Sequence, residues 1–262
     1  MKNIKTETSE NRYIVPAFAR GLNLIELLAG HPEGMQMTEM EQLELPPATL
    51  YRMLMTLCET GYAVRKKNGL YQLNGKLLAV AYRAVENKSL LSCAEAPMRE
   101  LRDRTGESVM LGVLHGEEGV VIHQEVSKHP VKVILEVGHH FPLHSAAPAK
   151  AILAFLEPHR ADGVIRSIRY TPFTPKTIRN GKAYRAELEK VRKCGVAYDC
   201  GEEMEDLNCV AAPVREKRNR SVSAVWITGP ASRLTRTKMK QFAGLVEETA
   251  RRIEETLNGT EL

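Results

Sequence analysis

No stretch of the chain is apolar over anything near the roughly 18 residues that a membrane-spanning helix needs. The opening MKNIKTETSENR is polar and lacks the apolar core of a secretory signal. The expected compartment is the cytoplasm, with no membrane partner. Cysteine is sparse and odd in number: Cys58, Cys93, Cys194, Cys200 and Cys209 include no C-x-x-C pair. That spacing excludes a disulfide framework and a zinc finger, and the thiols are expected to be reduced. Nothing resembles a glycine-rich phosphate loop, and there is neither an internal repeat nor a low-complexity segment. No cofactor is therefore expected.

What is present is the composition of a soluble globular protein, 43% hydrophobic and 26% charged over 262 residues, long enough for one small domain and one of middling size. The net charge of +5 fits an anionic partner, but its placement says more than its size. Arg52, Arg65, Lys66, Lys67 and Lys76 face only Glu59 between 52 and 76, while Glu33, Glu39, Glu41 and Glu44 crowd the segment before. Cations gathered on one side are what phosphates attract.

The stretch 37–57, MTEMEQLELPPATLYRMLMTL, organises the chain. A short helix from Thr38 is expected to break at Leu45-Pro46-Pro47. Leu50, Met53, Leu54 and Leu57 then recur at the spacing of one helical face. Proline suits a first turn, where its missing N–H would be unpaired anyway. The second helix presents Ala48, Thr49, Tyr51 and Arg52 outward, as a recognition helix presents side chains to a major groove. Short strands at 61–64 and 70–73 flank Arg65, Lys66 and Lys67, a basic hairpin tip that reads as a wing gripping the backbone of double-stranded DNA. A small helical domain with a solvated cationic turn is the plainer alternative.

Upstream, Phe18, Leu22, Leu24, Ile25, Leu27 and Leu28 form a helical stripe ending at Gly30-His31-Pro32. Downstream, 75–91 reads as one amphipathic helix carrying Leu77, Leu78, Ala81, Tyr82 and Val85, with Lys76, Arg83, Glu86 and Lys88 between them, and is a natural dimer contact. Beyond 92 the pattern turns to strands. The runs 108–114, 120–126 and 131–137 suggest an antiparallel meander, 197–199, 209–214 and 221–228 further strands, and 146–156, 182–193 and 235–257 helices, the first of this region closing at 97–104. The fold class is thus two-domain α/β: a winged helix-turn-helix at 12–74, a linker helix at 75–91, and an α+β sensor domain at 92–262 with helices covering one sheet.

At this point the residues carry a resemblance. LPPATLYRMLMTLCETGY, FPLHSAAPAKAILAFL and GVAYDCGEEMEDLNCVAAPV are similar to the recognition helix, the pocket loop with its helix, and the C-terminal motif of the IclR family of bacterial transcriptional regulators. Gly195, Asp199, Glu202, Cys209, Val210, Ala211 and Val214 fall at that last motif's spacing. The resemblance implies a GAF-like effector domain and a homodimer, or dimer of dimers, that binds an operator, most often to repress it. A small organic acid would shift it. It also implies a pocket made by Ala147, Pro148, Ala149, Asp199, Leu207, Cys209, Trp226 and Thr228. A loop entering a helix offers N–H groups to a carboxylate, and alternate side chains of one strand face one cavity.

The chain departs from the family pattern in places. The first part of the helix-turn-helix is one residue shorter between Thr38 and Leu45, Ala149 stands where glycine is frequent, and Pro148 removes an N–H. Trp226 sits where relatives that bind very small acids tend to have a small polar residue, so its ring either fills the pocket or stacks on a flat ligand. Arg215-Glu216 follows Val214 where an aromatic-acid pair is usual. Other residue types invite other chemistry. Cys209 with Asp199 and a nearby histidine, which the sequence does not single out, could be a thiol nucleophile, but a cysteine on an apolar strand reads as packing. His139, His140 and His144 could supply metal nitrogens, yet the first two should point to opposite sides of a strand. Glu202, Glu203 and Glu205 read as a solvated loop. A metabolic enzyme with an accessory winged helix, or a winged helix serving only protein interaction, are the rival functions; the expectation is a regulator with no enzymatic activity.

Overall fold

The computed structural model describes residues 14–84, 90–216 and 221–259, and the chain divides after Asn74 into two compact units. The polar opening and Val85, Glu86 and Lys88 of the expected linker helix lie outside the described residues. In the first unit, helix α1 (Pro16–Ala29) starts on proline and sends Leu24 and Leu28, one turn apart, into the core. Phe18 and Leu22 do not follow them: they are 69% and 46% exposed. The expected single stripe is two faces of one helix, roughly a third of a turn apart at 3.6 residues per turn. The short helix expected from Thr38 is instead two 3₁₀ turns, Met37–Glu39 and Glu41–Leu43, with Met40 buried between them and Glu44 left-handed at φ 49°. Pro46 holds the residue before it extended, so too few residues are left for an α-helix.

Helix α2 (Pro47–Glu59) buries Leu50 and Leu54, and the chain returns through antiparallel strands β1 (Ala63–Arg65) and β2 (Tyr71–Leu73), with Arg65 opposite Tyr71. Lys66 N–H donates to Leu70 O at 2.8 Å, and Gly69, at φ 85°, makes the turn. A bridge from Met35 to Tyr71 ties the hairpin to the helices. Leu24, Leu28, Met35, Met40, Leu50, Leu54 and Tyr71 are the core of this unit.

The second unit begins with helices α3 (Lys76–Ala84) and α4 (Leu90–Thr105), then strands β3 (Ser108–His115), β4 (Glu118–Glu125) and β5 (His140–Phe141). Three helices follow, α5 (Ala147–Phe155), α6 (Pro158–Ser167) and α7 (Gly181–Cys194), and then β6 (Ala197–Cys200), β7 (Leu207–Glu216), β8 (Ser221–Pro230) and α8 (Arg236–Asn258). The sheet is antiparallel with order β5-β4-β3-β8-β7-β6. The third strand of the expected meander, 131–137, does not form. Val133 and Leu135 pack on the core, but Val133 O accepts from Ser108 Oγ and Val131 O from Arg233 rather than from a ladder. The two-residue β5 takes the edge of β4 in its place. Helix α6 has no counterpart among the elements expected from the sequence.

Alternation along the strands separates two cores. Val109, Leu111, Val210, Ala212, Val225 and Ile227 face α4 and α8, while Met110, Ala211, Ala224 and Trp226 face α5 and α7. Asn180 caps α7 by accepting from Ala183 N–H at 2.9 Å, and Gly195 at φ 79° ends that helix.

Candidate functional site

In the first unit the core face of α2 leaves its other side to solvent. Ala48, Tyr51 and Arg52 are exposed and Thr49 is half-buried. The helix begins on Pro46 and Pro47 with no side-chain cap, so its positive end meets no protein carboxylate in the first turn. Arg65, Lys66 and Lys67 are all exposed at the hairpin tip. The Arg65 guanidinium lies 5.6 Å from the centre of the buried Tyr71 ring, and Lys66 Nζ donates to Glu33 O at 3.2 Å. These contacts stiffen the tip while leaving its charge in solvent.

In the second unit, strand register sets four residues in one row across the α5-facing side of the sheet. Asp199 pairs with Cys209, Cys209 with Thr228, and Thr228 with Ser108. The next row holds Ala197, Ala211, Trp226 and Met110. Ala147, Pro148 and Ala149 form the first turn of α5 and are buried in the same core. Helix first turns leave N–H groups unpaired; Pro148 has none to offer. Leu207 stands at the start of β7, half-buried opposite Pro230. Two surface clefts, one beside His144 and Phe173 and one beside Arg102 and His129, are lined by other residues than these.

The Asp199 carboxyl is buried and already engaged, accepting from Glu202 N–H at 2.6 Å. Burial raises its pKa against the pull of that hydrogen bond and of Lys150. Burial also pushes the Cys209 thiol well up, with Asp199 adding to the effect, and its sulfur donates to Thr228 Oγ1 at 3.3 Å. A thiol held this way stays protonated, the opposite of an activated nucleophile. His140 is tied by Glu118 at 2.9 Å through Nδ1 and accepts from Gly75 N–H through Nε2, so it sits at the sheet edge. His144 is buried, bonds Thr171 O at 2.8 Å and stacks on Phe173 at 5.4 Å. It braces the chain between α6 and α7. His139 adjoins His140 in the chain, and its pKa is lowered by burial and by His140.

Sequence reasoning missed Lys150. Its side chain is fully buried, and Nζ donates to Tyr198 O at 2.9 Å and to Glu202 Oε1 at 2.5 Å. The expectation that Glu202 and Glu203 lie in a solvated loop is therefore corrected. Thr174 and Thr177 hydroxyls hold Gly201 O and Glu202 O at 2.8 and 2.6 Å, the Glu202 side chain is only 14% exposed, and Glu203 is half-buried. Burial raises both glutamates to about 7, outweighing the attraction of Lys150 in the case of Glu202. An unfolded glutamate titrates near ~4.3, so at about pH 5–7 the native chain holds protons that the unfolded chain has released. This contribution to stability is complete below the unfolded value and is lost as pH rises through about 7. We expect the melting temperature to fall from about pH 5 to pH 8, and Glu203→Gln to flatten that fall by on the order of 1–3 kcal/mol. A pH profile identical to that of the unmodified chain would mean that Glu203 ionises as freely folded as unfolded.

Comparison with known proteins places this geometry. A family model described as the IclR helix-turn-helix domain matches residues 17–67, and one described as the C-terminal of bacterial transcriptional regulator IclR matches residues 82–255. The HTH-type transcriptional repressor AllR of Klebsiella pneumoniae is 30% identical over 243 residues, 92% of this chain and 89% of that protein. The crystal structure of the Thermotoga maritima IclR aligns with TM-score 0.64 at 26% identity, over 92% of this chain and 98% of that one. An IclR homologue from Microbacterium hydrocarbonoxydans, crystallised with 4-hydroxybenzoate, has the same fold, with TM-score 0.64 at 20% identity over 92% and 98% of the two chains.

Proposed function

The chain belongs to the IclR family of bacterial transcriptional regulators, and from that premise we propose that it is a repressor whose operator affinity is set by a small organic acid held in the second unit. It is a DNA-binding regulator, not an enzyme, as the proteins it matches are. The finer reading assigns Ala48, Thr49, Tyr51 and Arg52 to the major groove and Arg65, Lys66 and Lys67 to the phosphates. It works in the cytoplasm, where the operator is.

The observation that carries the sensor reading is the transverse row of Asp199, Cys209 and Thr228 on the face covered by α5. Its groups can meet the polar atoms of a short acid, whose carboxylate would take the N–H groups of Ala147 and Ala149 in the first turn of α5. Leu207 and Trp226 close the site. Repression is supported by the name of AllR, and an acid effector by the 4-hydroxybenzoate complex of the Microbacterium homologue. The working species is a homodimer or a dimer of dimers. Ile14, Val15, Phe18 and Leu22, 46–69% exposed on and beside α1, supply an apolar stripe that a second copy would cover. The effector acts by favouring one dimer arrangement, and shifts DNA affinity only as far as its own affinity differs between the two arrangements.

The test is a thermal-shift screen of the full chain against carboxylic, sugar and aromatic acids, followed by titration of the DNA upstream of its own gene with and without each hit. A ligand that binds only the folded protein raises the melting temperature, and the expected hit also weakens DNA binding. A chain whose DNA binding ignores every compound would have a second unit that serves assembly alone.

A further inference from the structure

The segment 131–137 fails to join the sheet, yet from Lys132 onward it keeps the burial pattern of a strand. Pro130 precedes it and Gly138, at φ 96°, ends it. Val133, Leu135 and Val137 are half-buried, and Lys132, Ile134 and Glu136 between them are exposed, Ile134 by 55%. In an extended chain the N–H and C=O of one residue point to one side and those of the next residue to the other. Val131 O and Val133 O are turned inward, accepting from Arg233 and from Ser108 Oγ, so the main-chain groups of Lys132, Ile134 and Glu136 are turned outward. Among the described residues, no N–H from Val131 to Val137 finds an acceptor and the carbonyls of Lys132 and Ile134 accept nothing, while Glu136 O accepts from His139 N–H. A row of free donors and acceptors is a template for another strand.

We propose that this segment pairs antiparallel with the same segment of a second copy, about a two-fold axis at Ile134. The side chains select that occupant. The register sets Ile134 against the partner's Ile134 and Lys132 against the partner's Glu136, because the two charges stand two residues to either side of the isoleucine. Both charges are exposed, and neither is held in an ion pair among the described residues; Glu136 also pulls through space on the His139 imidazole. Ile134 N–H would donate to the partner's Ile134 O, and Glu136 N–H to the partner's Lys132 O, each bond made twice by symmetry. On the solvent face the isoleucine pair is then flanked by two ion pairs, and cross-strand pairs of these kinds are what stabilises a sheet. A pairing of this symmetry closes on itself, so the exposed edge is consumed instead of growing into a fibre. One pair of strands is marginal in water. Between two dimers the contact is made twice, and the two act together. The pairing thus rests on the dimer-of-dimers reading above, whose second contact it supplies, and is independent of the effector.

Sedimentation of the full chain over a range of concentrations tests the pairing by charge reversal. The unmodified chain should assemble beyond the dimer. Lys132→Glu and Glu136→Lys should each weaken the joining of dimers at least about tenfold, since each reversal places like charges opposite one another at every pairing. The double variant Lys132→Glu with Glu136→Lys restores opposite charges and should recover the assembly, an outcome that loss of folding could not produce. Ile134→Cys adds an independent readout. Its Cα would lie about 5.5 Å from the partner's, within reach of a disulfide, so mild oxidation should link two copies, and adding Lys132→Glu should prevent it. The unmodified chain, whose Cys194 is exposed, is the control for linkage through other thiols. An unmodified chain no larger than a dimer, single reversals that assemble as it does, or a double variant as weak as the singles would each overturn the strand pairing while leaving the dimer intact. A chain monomeric at every concentration would overturn the pairing and the assembly reading together.

Discussion

Lys150→Ala is expected to lower the stability of the second unit by about 3–5 kcal/mol, the cost of breaking a buried ion pair by removing one partner. The ammonium is fully buried between Tyr198 O and Glu202, and Glu202 Oε2 has no hydrogen-bond partner even with the lysine in place. Loss of Nζ leaves the carboxyl buried beside Asp199 without the ammonium that hydrogen-bonds it. At high pH it must stay charged there, whereas near pH 6 it takes up a proton, because burial already holds it at about 7 with the lysine present. The deficit should therefore be largest above about pH 8 and smaller near pH 6. For a unit of this size the drop corresponds to roughly 6–20 °C in melting temperature. The fluorescence of Trp226 reads it directly, since the sole tryptophan lies in that unit's core. Lys150→Met combined with Glu202→Met removes both charges and should recover most of the loss, as apolar replacement of a buried pair is often neutral. A single variant as stable as the parent at every pH would mean that Lys150 reaches solvent.

Lys150 also marks the limit of what local sequence can reveal. A lysine in a helix reads as a surface group, and its depth is decided by α5 lying against β6, β7 and β8. One local signal points the other way. Ala147, Pro148, Ala149, Ala151, Ile152, Leu153 and Ala154 surround it on every side of the helix, and a helix that is apolar all round is buried together with any charge it carries. Glu202 escapes a local reading for the same reason, since its partner lies 52 residues away. The two-domain α/β class, the long helices and most strands are legible because their apolar periods are local. The strand expected at 131–137 is not: Val133 and Leu135 alternate and pack, yet Val131 is exposed and the backbone is held by Ser108 and Arg233 instead of a ladder. Alternation reports which side chains are buried, and cannot say which strand edge is free to pair. The row of Asp199, Cys209 and Thr228 likewise depends on register between strands far apart in sequence; only the family resemblance points to those positions together.

The hairpin tip carries the other large effect. Lys66→Ala with Lys67→Ala should weaken binding to the DNA upstream of the gene by at least about a hundredfold near 0.1 M salt, since each phosphate contact accounts for about one released counterion. The more diagnostic readout is the slope of log affinity against log salt. Removing two cations from one wing should flatten it by roughly 2, and by roughly 4 in a dimer whose two wings both touch the duplex. Arg65 is kept in this variant because its guanidinium lies over Tyr71, a core residue, so its removal would mix lost charge with lost packing. Lys66 also donates to Glu33 O, an exposed hydrogen bond whose loss is a small matter for stability. Melting of the first unit should accordingly stay within about 0.5 kcal/mol of the parent. In Arg52→Ala, by contrast, the change should depend on DNA sequence if the side chain reads a base, discriminating about 1–3 kcal/mol less between operator and a mismatched site. A salt slope left unchanged by the Lys66 and Lys67 substitutions would remove the hairpin from the phosphate contacts and leave the recognition helix to bind alone.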